Sequence, residues 1–126
     1  MEHAKSYRDL EIYKLARQLS KEIYEVSKGF PKEEMYSLTD QIRRSSRSVG
    51  AQIAEAWPKR KYEKHFISKL TDADGEQQET QHWIETASDC KYLTVNQVKD
   101  WLERCSSIGR MLNSMINKSS QFCSRS

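Results

Sequence analysis

From residue 76 to residue 108 the chain has neither proline nor glycine, and the whole sequence holds only two prolines and four glycines. An all-β fold needs turn residues about every ten positions, and few are present. Helices are therefore favoured. The 126 residues, 37% hydrophobic and 10% aromatic, suit one domain over residues 1–126, with enough large apolar side chains to fold and to bury about two thirds of the unfolded surface.

Apolar positions recurring at steps of three and four mark four amphipathic helices. The first runs from about Arg8 to Lys28, with Ile12, Leu15, Leu19, Ile23 and Val26 inward, Ser6 and Asp9 as a capping pair and Gly29 as a stop. Pro31 opens PKEEMYSL, a short helical connector with acids near its start. The second helix is expected to begin at a Thr39 cap and to bury Leu38, Ile42, Val49, Ile53 and Ala56. It should end at Trp57, which Pro58 biases away from helical geometry.

The third helix is predicted over Tyr62 to Cys90, with Phe66, Leu70, Ala73, Ile84 and Ala87 inward. Its polar middle, DADGEQQETQ, brings Gln77 and either Thr80 or Gln81 towards the core, so a bend or buried hydrogen bonds are expected there. After a turn at Tyr92 and Leu93, Thr94 and Gln97 have capping-box spacing. Val95, Val98, Leu102, Cys105, Ile108, Leu112 and Met115 then form the last helix. Short connections make an all-α fold, an antiparallel up-down-up-down four-helix bundle with frayed polar termini.

The N-terminus MEHAKSYRDLEIYK lacks an apolar signal core, and no uncharged apolar run nears the roughly 18 residues of a membrane span, so a cytoplasmic protein without membrane contact is expected. Cys90, Cys105 and Cys123 form no C-x-x-C pair; the first two look like small core residues, and Cys123 sits in the tail QFCSRS.

The stretch QIRRSSRSVGAQIAEAW poses the functional question. At about 100° per residue, Leu38, Val49, Ile53 and Ala56 fall within roughly 40° of Ile42, whereas Arg43, Arg44 and Arg47 lie between about 100° and 200° away, pointing outward. Ser46, Gly50 and Ala54 form a ridge of small residues suited to close helix packing. Residues 41–70 hold eight basic residues against Glu55 and Glu63, a net of +6, while residues 71–90 hold six acids and no Lys or Arg. The overall charge of +3 thus conceals a dipolar molecule.

Three readings of that asymmetry stand side by side. Arg43, Arg44, Arg47, Lys59, Arg60, Lys61 and Lys64 could bind nucleic-acid phosphates and release their counterions. They could be no more than a solvated face beside the PKRKYEKH loop. Or the basic patch could meet the acidic patch of another copy in a ring.

Catalytic chemistry is sparse. Glu79 and His82 have the E-x-x-H spacing of di-iron bundles, but a second copy and two more inward acids are missing, and His65 and His3 complete no metal set. There is no nucleophile elbow and no Gly-rich phosphate loop, so neither an enzyme nor a cofactor is indicated. Tyr13, Tyr24, Tyr36, Tyr62, Trp83 and Trp101 could stack bases, but core or oligomer packing is the commoner use of such residues.

The blocks "SYRDLEIYKLARQL", "FPKEEMYSLTDQIRRSSRSV", "QIAEA", "HFISKL", "KYL" and "IGRMLNSMI" resemble the bacterial four-helix-bundle proteins encoded by intervening sequences in large-subunit ribosomal RNA genes. The similarity covers about residues 6 to 117. It implies a four-helix protomer in a homopentameric ring, an association with nucleic acid and no catalytic residues. More distantly, the chain resembles retroelement accessory proteins, pentamers that bind a reverse transcriptase and its RNA template. Relatives often carry Pro, Asn and Gly where this chain has Gly50, Gln52 and Ala56, and they lack the Trp57-Pro58 pair.

Overall fold

The computed structural model describes residues 4–123, and every regular element within them is helical. The four long helices are α1 (Glu11–Ser27), α2 (Asp40–Ala56), α3 (Glu63–Asp89) and α4 (Val95–Asn117), followed by the short α5 (Ser119–Phe122). α1 packs against α2 and α4, and α3 packs against the same two helices. Their apolar stripes meet in a core that fully buries Trp101, Phe66, Ile23, Ile42, Leu70, Ile84 and Leu112. Each such side chain contributes about 1.5–3 kcal/mol by leaving water. Among the described residues no helix is long and apolar enough to cross a membrane.

Helix boundaries follow local chemistry, with several departures from the sequence reading. The Ser6–Asp9 capping box is present, but it caps a separate 3-10 turn, Tyr7–Asp9. Leu10, extended at φ −71° and ψ 128°, interrupts the chain before α1, so the helix starts three residues later than Arg8. Ile12, Ala16, Leu19 and Ile23 then give the expected buried stripe. Gly29 follows the helix without a positive φ. The stop comes instead from bonds of the Gly29 and Phe30 N–H groups to the Val26 and Ser27 carbonyls, both 3.0 Å.

The connector is helical throughout: a 3-10 turn at Lys32–Glu34 and a π-turn at Met35–Thr39 lead directly into α2. Thr39 is consequently not a cap. Its backbone is already helical, and its buried hydroxyl has no partner among the described residues. At the other end of α2, Trp57 keeps helical angles (φ −54°, ψ −52°) despite Pro58. The chain only tightens into a 3-10 turn, Trp57–Lys61, whose second residue is the proline, and extended Tyr62 makes the break. Arg60 holds that turn by donating from Nε to the Trp57 carbonyl at 2.8 Å while its guanidinium lies 3.6 Å from the indole centroid.

α3 runs unbroken through its polar middle, and of the two expected outcomes, a bend or buried hydrogen bonds, the hydrogen bonds are present. Thr80 Oγ1 lies 2.9 Å from Ser45 Oγ of α2 and 2.8 Å from the Glu76 carbonyl. Gln77, only 5% exposed, donates to Asp74 Oδ1 at 2.9 Å and accepts from Gln81 Nε2 at 2.8 Å. Gly109 of α4 makes room for that amide, because a Cβ there would stand 2.7 Å from Gln77 Nε2. Satisfied buried amides need no helix distortion.

α3 ends in a Schellman turn. The Tyr92 N–H bonds the Ala87 carbonyl and the Lys91 N–H the Ser88 carbonyl, both at 2.9 Å, with Lys91 left-handed at φ 62°. This turn leaves Cys90 exposed rather than in the core. The Thr94–Gln97 box caps α4 as expected. Val95, however, is 83% exposed, flanked by exposed Thr94 and Asn96 at the helix start, while Trp101 is fully buried and offers no stacking platform. Cys105 is the buried cysteine, and burial pushes its thiol up to about 12. Within the described residues the tail packs back on α3: Phe122 stacks on Phe66 with centroids 6.0 Å apart, and Ser119 donates to Glu63 at 2.6 Å. His3 and the end of QFCSRS lie outside the described residues.

Candidate nucleic-acid interface

The arginines of α2 leave the core as the helical frame requires, but they do not share one environment. Arg44 turns towards α3, where it pairs with Glu76 at 3.0 Å and with Glu79. Trp83 Nε1 donates to the same Glu79 carboxylate at 3.0 Å. That indole bond, together with Arg44, holds the Glu79 carboxyl below the usual range against the opposing effect of burial. Arg44 is therefore matched by two acids of its own chain.

Arg43 and Arg47 turn the other way, towards α1. Their guanidinium carbons lie 4.7 and 5.0 Å from the centroid of the Tyr24 ring, and Arg43 Nε donates to Ser27 Oγ at 2.8 Å. Lys28 Nζ stands 4.9 Å from the same ring and 3.2 Å from Glu25. Among the described residues neither Arg43 nor Arg47 has a carboxylate within ion-pair distance. Three cations crowded on one ring, with Glu25 beside Lys28 as the one paired acid among the described residues, form a positive spot.

The spot continues into a recess of about 600 Å³ between α1 and α2, lined by Tyr13, Arg17, Lys21, Tyr24, Arg47 and Gly50 and containing no acidic residue. Arg17 is steadied by a 3.3 Å bond to the Tyr13 hydroxyl. Crowding does not require the glycine: a Cβ at Gly50 would meet the Tyr13 ring at an ordinary 3.7 Å. Of the three-residue ridge, Ser46 and Gly50 are buried and Ala54 only partly so. Arg17 and Lys21, absent from the sequence reading, lie with Tyr13 and Tyr24 at steps of four, four and three, one stripe of α1. That periodic signal was present in the sequence, but only the docking of α1 on α2 joins it to Arg43 and Arg47.

The remaining predicted cations form a second cluster. Lys59, Lys61 and Lys64 are exposed on the 3-10 turn and the first turn of α3, whereas Arg60 is folded onto Trp57. About 25 Å of helix separates this group from Arg43, by the 1.5 Å rise per residue. A larger recess of about 910 Å³ between α3 and α4 is lined by Gln77, Gln81 and Asn113 and carries Asp74 and Glu85 as well as Arg110 and Lys118, so it has no single sign.

Glu79 is engaged by Arg44 and Trp83, and His82 stands exposed against the edge of Trp83, centroids 4.6 Å apart. Among the described residues no group of three His, Cys, Asp or Glu side chains is placed to hold a metal ion. Of the aromatic candidates, Tyr36 is 90% exposed and Tyr62 also projects into solvent, while Trp83 is only half-buried.

Comparison with known proteins agrees with the all-helical architecture. No curated protein matches the chain. Among solved structures, a protein of unknown function of the S23 ribosomal protein family from Bacteroides thetaiotaomicron is 28% identical, with a TM-score of 0.76 over 84% of this chain and 95% of that one. The model of the 23S rRNA-intervening sequence protein family matches residues 8–114. With nearly all of the helical region matched, the chain belongs to the 23S rRNA-intervening sequence protein family.

Proposed function

We propose that the chain is a non-enzymatic nucleic-acid-binding accessory protein, an antiparallel up-down-up-down four-helix bundle assembled into a homopentameric ring, which contacts RNA or DNA phosphates through the basic surface of α2 and the turn after it. The observation that carries this reading is the set of cations left without acids: Arg43 and Arg47 on Tyr24, and exposed Lys59, Lys61 and Lys64 beyond α2. Arg44, matched by Glu76 and Glu79, is an anchor between helices rather than a free contact.

The antiparallel arrangement draws support from paired contacts. Arg44, early in α2, meets Glu79 far along α3, and Glu55, late in α2, meets Lys69 near the start of α3 at 3.0 Å. Glu22 in the second half of α1 meets Arg104 of α4, while Leu10 just before α1 and Ile12 in its first turn line one recess with Met111 and Met115 near the end of α4. Repetition around a ring would multiply a modest phosphate patch through avidity.

A titration of the protein with labelled RNA at rising salt tests the reading. Log K should fall linearly with log salt, by about 0.7 for each single-strand phosphate neutralised. No binding at low salt would reject it.

A second reading, a homo-oligomeric protein-interaction scaffold such as a reverse-transcriptase accessory subunit, is favoured by the opposite sign of the α3 face, where Asp72, Glu85 and Asp89 are exposed. There the patches would serve assembly. Charge reversal at Arg43 and Arg47 separates the two: an intact oligomer with weakened nucleic-acid affinity supports binding, and loss of the oligomer supports the scaffold.

A further inference from the structure

Resting on the nucleic-acid reading above, we infer that the α1–α2 groove is a track for single-stranded nucleic acid, in which Arg43 and Arg47 seat one phosphodiester and Lys21 and Arg17 seat those that follow. Nothing in the amino-acid sequence alone joins these four residues, because they come from two helices and meet only when the helices dock.

The argument begins with preorganisation. A free arginine side chain loses considerable rotamer freedom when it grips a phosphate. Here that ordering is already in place: both guanidinium groups lie against the Tyr24 ring, and Arg43 is further fixed through Nε by Ser27. The bond to Ser27 uses one donor, and neither guanidinium is engaged by a carboxylate among the described residues. Guanidinium forks match the oxygens of a phosphodiester in bidentate geometry.

The shape of the positive surface then selects the strandedness. From Tyr24 the cations continue along one stripe, through Lys21 to Arg17 and on to Tyr13, all lining the same acid-free recess. By the helical rise, Tyr13 and Tyr24 are about 16 Å apart along α1. That is one row of charge lying in a concave groove, suited to one backbone. A duplex instead presents two backbones on a convex rod and keeps its bases stacked inside. The guanidinium groups lying on Tyr24 offer planar faces to bases that only an unpaired strand exposes. The α3–α4 recess, larger but of mixed charge, has none of these features.

The test uses the full chain with a labelled oligouridylate and an RNA duplex of equal length, followed by fluorescence anisotropy across a salt series. The single strand should bind at least tenfold more tightly than the duplex. The R17Q/K21Q variant, altered only at exposed side chains, should weaken single-strand binding on the order of tenfold and lower the salt slope by about 1.4, two phosphates at about 0.7 each. Circular dichroism and oligomer mass should match the unaltered protein. Equal binding of duplex and single strand overturns the inference and leaves the broader reading standing. So does an unchanged slope in R17Q/K21Q when K59Q/K61Q/K64Q loses binding. Failure of both probes at low salt overturns the broader reading itself.

Discussion

Replacing Gly109 by alanine adds one methyl group to the middle of α4, and the surroundings of that methyl decide its effect. In an exposed helix interior, glycine to alanine gains about 0.8–1.0 kcal/mol by restricting the unfolded chain. Gly75 of α3 offers that situation, since a Cβ there meets nothing within 4 Å. At Gly109 the same methyl would lie 2.7 Å from Gln77 Nε2 and 3.3 Å from Asp74 Oδ1. The buried amide must withdraw, giving up its bonds to Asp74 and Gln81. At about 1 kcal/mol net for each bond, the loss is about 2 kcal/mol and the balance about 1 kcal/mol unfavourable. Urea unfolding followed by tryptophan fluorescence, at fixed protomer concentration and unchanged m-value, should place the midpoint of G75A above the unaltered protein and that of G109A below it. In a Q77A background the methyl has room, so G109A should regain its helix-forming benefit, a coupling of about 2 kcal/mol. A G109A protein stabilised as much as G75A would refute the account of the α3–α4 contact.

Two further predictions follow from particular residues. Lys91 holds a left-handed conformation at φ 62° that costs a side-chain-bearing residue about 1 kcal/mol, so K91G should raise stability by about that amount, measured as a rise of roughly 3–5 °C in Tm. Arg104 lowers Glu22 from its ordinary 4.5 against the opposing effect of burial, and Trp83 with Arg44 lowers Glu79 likewise. Carboxyls depressed in the folded state stabilise fully above about pH 4.5 and lose that contribution as pH falls through their folded values. Thermal unfolding between pH 6 and pH 3 should therefore decline less steeply in E79Q than in the unaltered protein.

Long periodic segments made most of the fold legible. Spacing alone places Ile12, Leu19, Phe66, Leu70, Ile84 and Leu112 inward, and it points Gln77 and either Thr80 or Gln81 towards the core, where Gln77 and Thr80 are the buried pair. What failed were judgements resting on one residue's local preference. Thr39 and Trp57 have the chemistry of a cap and a stop, yet both remain helical, because a helix-to-helix junction can stay wound when its flanking turns are themselves helical. Val95, placed inward by periodicity, is exposed because it opens α4 before the stripe meets the core, and Trp101 takes the core packing that is the commoner use of such aromatics.

The candidate site was half legible. The outward direction of the α2 arginines follows from periodicity, but periodicity cannot tell which neighbouring helix each one leans upon. Arg44 found acids on α3, while Arg43 and Arg47 found Tyr24 on α1. Arg17 and Lys21 carry no distinguishing mark in the sequence, because a stripe of polar residues on an amphipathic helix is what any solvent-facing side looks like.

The passage from Met35 to Lys61 through a π-turn, α2 and a 3-10 turn contains no extended residue. It is in effect a rod without a joint. The arginines midway along it and the lysines at its far end keep a set separation and a set angular offset, as notches on a rigid gauge. A ligand engaging both must conform to that spacing, since the protein has no hinge there with which to adapt. Inserting one residue into α2 would swing one group about 100° around the axis relative to the other, leaving each cluster whole and their alignment destroyed.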